Sequence, residues 1–169
     1  DEERLRKRLE ETLLIWAREG MPGRQGLEEA GRAMTSWREH EGIRGLWNPT
    51  PLMVTATIDD GFGFGLAVIE AWSKATGVEL ISLGLLQEPE DVIAACREHQ
   101  PDFLGMTVLQ FGSEEEVAEI SEALPEKTRL IAGGPIFSAD PELAERSGID
   151  FVARTVAEYL RFLLDLDSD

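Results

Sequence analysis

Two patterns of apolar residues divide the chain near residues 42–51. Before this point, apolar residues recur at helical spacing and predict two helices, at about 3–19 and 26–41. The connector that follows contains Pro49 and Pro51, which favour extended backbone over helix. We therefore expect an N-terminal helical segment over residues 1–50 and a second domain over residues 51–169.

Beyond residue 51, short apolar runs alternate with helical stretches. Strands connected by helices must pair in parallel, and strands covered on both faces are apolar throughout. The pattern predicts an α/β fold, a five-stranded doubly wound parallel sheet in the flavodoxin-like order 2-1-3-4-5. Such sheets bind ligands at the carboxyl ends of their strands, where the order reverses. The five predicted strands are 52–58, 78–83, 103–108, 128–132 and 151–153.

Capping signals support the helices of this second part. Ser113 with Glu116 and Thr155 with Glu158 have the spacing of a capping box, in which each side chain caps the other's backbone N–H. Between them, the residues at 140–141 predict the start of one further helix.

Composition and charge exclude several classes of protein. A single cysteine, Cys96, excludes an internal disulfide and any multi-cysteine metal site. The net charge is −17, and residues 51–169 alone carry −16. Such a surface repels nucleic acids and anionic membranes and favours basic protein partners. With no signal peptide and no apolar run near about 20 residues, we expect a cytoplasmic protein.

The first strand exit combines acidic residues with glycines over residues 59–65. Its G-x-G-x-G spacing differs from the dinucleotide fingerprint, and no Ser/Thr-rich loop suited to a flavin phosphate follows the strand. A receiver domain needs a phosphate-accepting aspartate at the third exit, where this chain has Met106, Thr107 and Val108. Without a nucleophile–base pair, we expect no catalysis by the chain alone. A tight loop that binds no ligand remains open.

Four short motifs lie in register on the predicted exits: Asp60 to Gly65, Ser82-Leu83-Gly84, Thr107-Val108-Leu109 and Gly133-Gly134. With these motifs, residues 54–164 resemble the cobalamin (B12)-binding domain of methionine synthase, methylmalonyl-CoA mutase and methyl-transfer corrinoid proteins. In that family the first loop reads D-x-H-x-x-G, the third exit S-x-L and the fourth G-G. This chain has Phe62 at the histidine position and Thr107 at the serine position.

The resemblance implies a role for each matched residue. In the family, the nucleotide tail of the cofactor leaves cobalt and passes between the sheet and its first helix, and the loop histidine becomes the lower ligand. By position, the glycine pair flanks the tail, the Thr107 hydroxyl bonds it, and Asp60 lies behind the ligand position. The implied cofactor-binding residues are Asp60, Gly61, Phe62, Gly65, Thr107, Leu109, Gly133 and Gly134.

Phe62 is the departure from the family pattern, because its ring has no lone pair for cobalt. His99 is expected at the opposite edge of the sheet and Cys96 inside a helix, while ligation by His40 stays open. We therefore expect no protein ligand to a metal. Three alternatives remain: a corrinoid held without protein ligation, with its tail or water below cobalt; another flat or apolar ligand; or Phe62 and Phe64 filling the tail pocket.

These observations predict a cobalamin- or corrinoid-binding module without the lower-ligand histidine. It would be a carrier or accessory subunit of a methyl-transfer system, with a methyltransferase or other corrinoid-dependent enzyme as partner. The alternatives are a degenerate interaction or regulatory protein that binds no corrinoid, and a non-catalytic subunit of a B12-dependent mutase or methyltransferase.

The N-terminal helices resemble, in placement only, the helical cap of methyl-transfer corrinoid proteins. Two helices make a partial cap, which a second copy or another subunit would complete, so a homodimer through these helices is possible. Trp16, Trp37 and Trp47 would either cover the cofactor or attach the helices to the rest of the chain.

Overall fold

The computed structural model describes residues 1–166. Most elements lie within two residues of their predicted positions. Over the described residues, no helix is both long and apolar enough to cross a bilayer. The helices are α1 (Glu2–Glu19), α2 (Arg24–His40), α3 (Phe64–Thr76), α4 (Pro89–His99), α5 (Glu114–Ala123), α6 (Ile136–Ala139), α7 (Leu143–Arg146) and α8 (Val156–Asp165). The strands are β1 (Leu52–Thr57), β2 (Glu79–Gly84), β3 (Phe103–Thr107), β4 (Arg129–Gly133) and β5 (Phe151–Ala153).

The strands form one sheet in the order β2-β1-β3-β4-β5, which confirms the predicted flavodoxin-like topology. β1 pairs with β3, β3 with β4, and β4 with β5, all in parallel. In this register Thr57 lies opposite Thr107, and Thr107 lies opposite Gly133. The exits of β1, β3 and β4 are therefore level with one another at the carboxyl edge.

The residues group into two compact units. The first contains residues 1–51, 67–79 and 155–166, and the second contains residues 52–66 and 80–154. The domain boundary predicted between residues 50 and 51 stays a prediction.

The second unit has a continuous apolar core because β1, β3 and β4 are largely buried and the helices each bury one stripe. Every residue of β3 is buried. The core residues are Val54, Ala56, Val92, Cys96, Leu104, Met106, Val108, Val117, Ile120, Leu130, Ala132, Ile136, Phe137 and Leu143.

The first unit is built around buried aromatic side chains, and the polar atoms of Trp72 and Tyr159 have hydrogen-bond partners. The indole N–H of Trp72 donates to the Leu27 carbonyl at 2.9 Å, and the Trp16 ring packs edge-on against Trp72 at 5.1 Å. The Tyr159 hydroxyl lies 2.5 Å from the Ser73 hydroxyl. Burial raises the pKa of Tyr159 far above its ordinary value, so this phenol stays protonated.

The three N-terminal tryptophans differ in exposure. Trp16 and Trp47 are buried, whereas Trp37 is half-buried with the Arg8 guanidinium 4.2 Å from its ring centroid. Within the first unit, Trp16 therefore acts as a packing residue, as one of the two predicted roles requires.

Two local predictions were wrong, and each has a physical reason. Ser113 does not cap α5 with its side chain, because its hydroxyl donates instead to the Asp59 carboxylate at 2.9 Å. The helix predicted to begin at residues 140–141 forms only as the short α7, and the short α6, which was not predicted, precedes it. Arg146 bonds Glu114 at 2.7 Å and Asp140 at 2.6 Å, linking this segment to the start of α5.

These bonds also change the acidity of the two carboxyl groups. Hydrogen bonds from the Arg146 guanidinium, together with its positive charge, lower the pKa of Glu114 and of Asp140 below their ordinary values.

The predicted helix cap at Thr155 is confirmed, since the Glu158 N–H donates to the Thr155 hydroxyl at 3.1 Å.

Gly134 is required by the backbone where β4 ends. Its φ is +131°, and a Cβ built there would lie 2.1 Å from the Val108 carbonyl oxygen. The Val108 N–H donates to the Gly133 carbonyl at 2.9 Å, so the two chain segments cannot separate without losing this bond. The glycine pair therefore has a structural reason independent of any ligand.

Gly134→Ala is expected to lower the free energy of unfolding by about 3 kcal/mol, because positive φ and a steric overlap add together. Gly112→Ala is the matched control, since a Cβ at Gly112 meets nothing within 4 Å. We expect the control to stay within about 0.5 kcal/mol of wild type in urea denaturation. Equal stability of the two variants would contradict this account of Gly134.

Candidate functional site

The loop after β1 is shaped by the side chain of Asp60. This buried carboxylate accepts the backbone N–H groups of Phe62 at 2.8 Å and Gly63 at 3.1 Å. Its own carbonyl oxygen accepts the Thr57 hydroxyl at 2.6 Å. Asp60 thus holds the loop backbone, which is a local turn role typical of aspartate.

Two aromatic rings of this loop reach the surface. Phe62 is 78% exposed and Phe64 is 49% exposed, and their rings stack at 5.7 Å with 14° between planes. With most of its ring in solvent, Phe62 does not fill an interior pocket. The alternative in which the two rings together plug a buried tail pocket is therefore not what the structure has.

The loop after β2 packs leucines against the glycines of the first loop. A Cβ on Gly63 would lie 2.6 Å from Leu85, and one on Gly61 would lie 3.4 Å from Leu86. Leu86 has a φ of +52° and donates its N–H to the Thr57 hydroxyl at 3.0 Å. Both leucines remain partly exposed. Strained backbone of this kind concentrates at functional sites.

Thr107 ends β3 with a buried polar atom that has no partner. The residue is 6% exposed, and among the described residues its hydroxyl oxygen makes no hydrogen bond. An unsatisfied buried hydroxyl is costly, so a native structure that retains one calls for an explanation. The threonine methyl group faces Gly65, where a Cβ would lie at an ordinary contact distance of 3.6 Å.

Asp59 is the functional candidate that the motif comparison left out. Its carboxylate accepts the N–H groups of Leu109 at 3.0 Å and Gln110 at 2.9 Å, and the hydroxyl of Ser113. These bonds join the exit of β1 to the loop after β3. The available signal was the position of Asp59 directly after a buried strand at the predicted edge.

The structure brings the predicted site residues to one edge of the sheet. They lie at the ends of β3 and β4 and in the segments that follow β1, β3 and β4, and Leu109 has a partly exposed side chain and donates its backbone N–H to Asp59. These residues are Asp60, Gly61, Phe62, Gly65, Thr107, Leu109, Gly133 and Gly134.

The remaining candidate ligands lie in helices. His40 ends α2, and His99 ends α4 just before the amino end of β3, as predicted. Cys96 is fully buried in α4, and burial raises the pKa of its thiol to about 11, which suits a small apolar core residue. Over residues 1–166, no three histidine, cysteine or carboxylate side chains cluster as a metal site would need.

A cavity of about 330 Å³ lies in the first unit between α2 and α3. Charged and polar residues line it together with Ala67 and Ala71, and Arg32 is paired there with Glu28 at 2.6 Å. None of the predicted site residues lines it.

Comparisons with known proteins agree with this fold. Residues 52–161 match the family model of the B12 binding domain. No curated protein sequence matches the chain significantly. A novel cobalamin-binding protein from Desulfitobacterium hafniense DCB-2 has a TM-score of 0.79 at 16% identity, over 96% of this chain and 79% of that one.

The monomethylamine corrinoid protein of Methanosarcina barkeri is a second similar structure. Its TM-score is 0.61 at 18% identity, over 78% of this chain and 62% of that chain. At such identities, both likenesses concern the fold.

Asp59→Asn is expected to lower the free energy of unfolding by about 1–3 kcal/mol, because an amide nitrogen would face groups that donate to the carboxylate. The amide protons of Leu109 and Gln110 should then exchange faster in hydrogen–deuterium exchange. Asp60→Asn is the control, since its two backbone bonds use one oxygen that asparagine retains. Unchanged exchange at Leu109 and Gln110 in Asp59→Asn would contradict this role.

Proposed function

The chain belongs to the B12-binding-domain family, and on this premise we propose that its carboxyl-edge loops bind a cobalamin or related corrinoid without any bond from the protein to cobalt. Family membership supports the class of cofactor. The absence of a protein ligand is our inference from the residues of the first loop.

The observation that carries the proposal is the buried, unpartnered hydroxyl of Thr107. Thr107 stands where the family's motif has a serine that bonds the nucleotide tail of the cofactor. A polar tail would satisfy a group that otherwise lowers the stability of the protein by about 1–3 kcal/mol. The position and the unmet hydrogen bond thus support the same role.

The apolar side chains at the same edge suit the flat macrocycle of a corrinoid. Phe62, Phe64, Leu86 and Leu109 each expose two-fifths or more of their surface. Clusters of exposed apolar side chains commonly mark ligand sites. Covering them with the macrocycle would remove apolar surface from water, at roughly 25 cal/mol for each Å² buried.

The first loop supports a cobalt that has no protein ligand. Phe62 has no lone pair, and the Asp60 carboxylate is engaged by two backbone N–H groups. When bound, the corrinoid would supply the organometallic chemistry of cobalt. The residues of this chain would bind the macrocycle, orient it and exclude water from one face.

We assign the protein a carrier or accessory role in corrinoid-dependent methyl transfer, with a methyltransferase as partner. The similar fold of a monomethylamine corrinoid protein supports this class of system. A net charge of −17 favours a partner with a basic surface. Pairing of two copies through the N-terminal helices stays a prediction.

Cobalamin loading tests the proposal directly. Purified protein is mixed with hydroxocobalamin or methylcobalamin and desalted, and its visible spectrum is recorded. We expect a retained corrin band without the signature of histidine ligation. A colourless protein at micromolar concentration would overturn the proposal and favour an interaction protein that has kept the fold without the cofactor.

Thr107→Val separates the binding role of Thr107 from a structural one. Removing an unsatisfied hydroxyl should raise the free energy of unfolding of the cofactor-free protein by about 1–3 kcal/mol. The same change should weaken cobalamin binding about fivefold, or about 1 kcal/mol, and leave binding of cobinamide, which lacks the tail, unchanged.

Thr57→Val is the matched control, because Thr57 is the register partner of Thr107 and its hydroxyl is hydrogen-bonded. This variant should be less stable than wild type in urea denaturation. Equal loss of cobalamin and cobinamide affinity in Thr107→Val would contradict a contact to the tail.

A further inference from the structure

Four exposed apolar side chains lie at the carboxyl edge in the segments after β1 and β2, and we call them the platform: Phe62, Phe64, Leu85 and Leu86. The two rings stack on each other. Leu86 lies against Gly61 and Leu85 lies against Gly63, and these two glycines flank Phe62 in the chain. Stacking of the rings and the approach of both leucines to the glycines of the first loop bring the members of the platform close together.

The four side chains of the platform offer no hydrogen bond to a water molecule. Phenylalanine and leucine side chains carry no hydrogen-bonding group. The two carboxylates of the same loop are already engaged, Asp60 with the N–H groups of Phe62 and Gly63 and Asp59 with the loop after β3. Turning the Asp59 carboxylate, or the engaged Oδ1 of Asp60, toward the platform would break bonds that fix the loops.

We propose that the platform selects corrinoids whose cobalt carries no water on its lower face. This inference rests on the proposed function, and it follows from the position of Phe62 in the family's motif for the lower ligand. A cobalt-bound water pressed against the platform would keep its protons unpaired, and burying an unpaired polar group is unfavourable.

The oxidation state of cobalt decides how firmly that water is held. Low-spin Co(III) strongly prefers six ligands, whereas low-spin Co(II) is stable with five or four. A corrinoid in the Co(II) state can lose its lower water on binding at a small cost in free energy. Diaqua Co(III) loses that water only at a larger cost. The platform should therefore discriminate between the two states of one macrocycle.

The test uses cob(II)inamide and diaquacob(III)inamide, which both lack the nucleotide tail and so bypass Thr107. Wild-type protein should bind cob(II)inamide about tenfold more tightly, which corresponds to about 1.4 kcal/mol. The electron paramagnetic resonance spectrum of the bound Co(II) form should change to that of cobalt without an axial water.

Phe62→Gln supplies a hydrogen-bonding side chain within the platform and should bring the ratio of the two affinities close to one. Leu14→Gln is the control, since Leu14 is an exposed leucine on α1 and undergoes the same change from apolar to amide. This control should keep the wild-type ratio and the wild-type spectrum.

The outcomes separate this inference from the proposed function. Retention of hydroxocobalamin with equal affinity for the two cobinamides would leave the function standing and overturn the role of the platform. A tenfold ratio that persists in Phe62→Gln would also overturn it. Failure to bind either cobinamide or cobalamin would overturn both.

Discussion

One carboxylate joins the two strand exits on which the site depends. The ladder between β1 and β3 ends at the pair Thr57 and Thr107, and two residues later Asp59 continues the connection by accepting N–H groups of Leu109 and Gln110. A charged acceptor with several donors is among the stronger polar interactions in proteins. The register of the sheet places the ends of β1 and β3 opposite each other, and the bonds of Asp59 tie together the loops that follow them.

We propose that the same edge carries hydrocarbon where the family's motif has its metal ligand. In the family's motif, aspartate and histidine act together, one behind the other. Here Asp60 turns to the backbone of its own loop, and Phe62 stacks on Phe64 at the surface. In this proposal an apolar surface stands in place of the ligand, and the Asp60 carboxylate bonds the loop backbone instead of a histidine. A corrinoid at this edge would be held by shape, by apolar contact and by Thr107.

The sequence was sufficient for the sheet but not for the loops. Strand order followed from apolar runs separated by helices, and the Thr155 cap followed from local spacing. The hydrogen bond from the Ser113 hydroxyl to Asp59 could not be predicted from local spacing, because the two residues are 54 positions apart in the chain. The exposure of Phe62 could not be predicted either, since it depends on the hydrogen bonds from the loop amides to Asp60. Local signals predict local structure, and tertiary partners decide the rest.

The most direct test of the central claim is the nitrogen hyperfine structure of bound Co(II). Protein uniformly labelled with ¹⁵N and unlabelled protein are each loaded with cob(II)alamin, and their electron paramagnetic resonance spectra are compared. If no atom of this chain coordinates cobalt, the two spectra are the same. A splitting whose multiplicity changes on labelling would reveal a cobalt bond to a protein nitrogen and contradict the account.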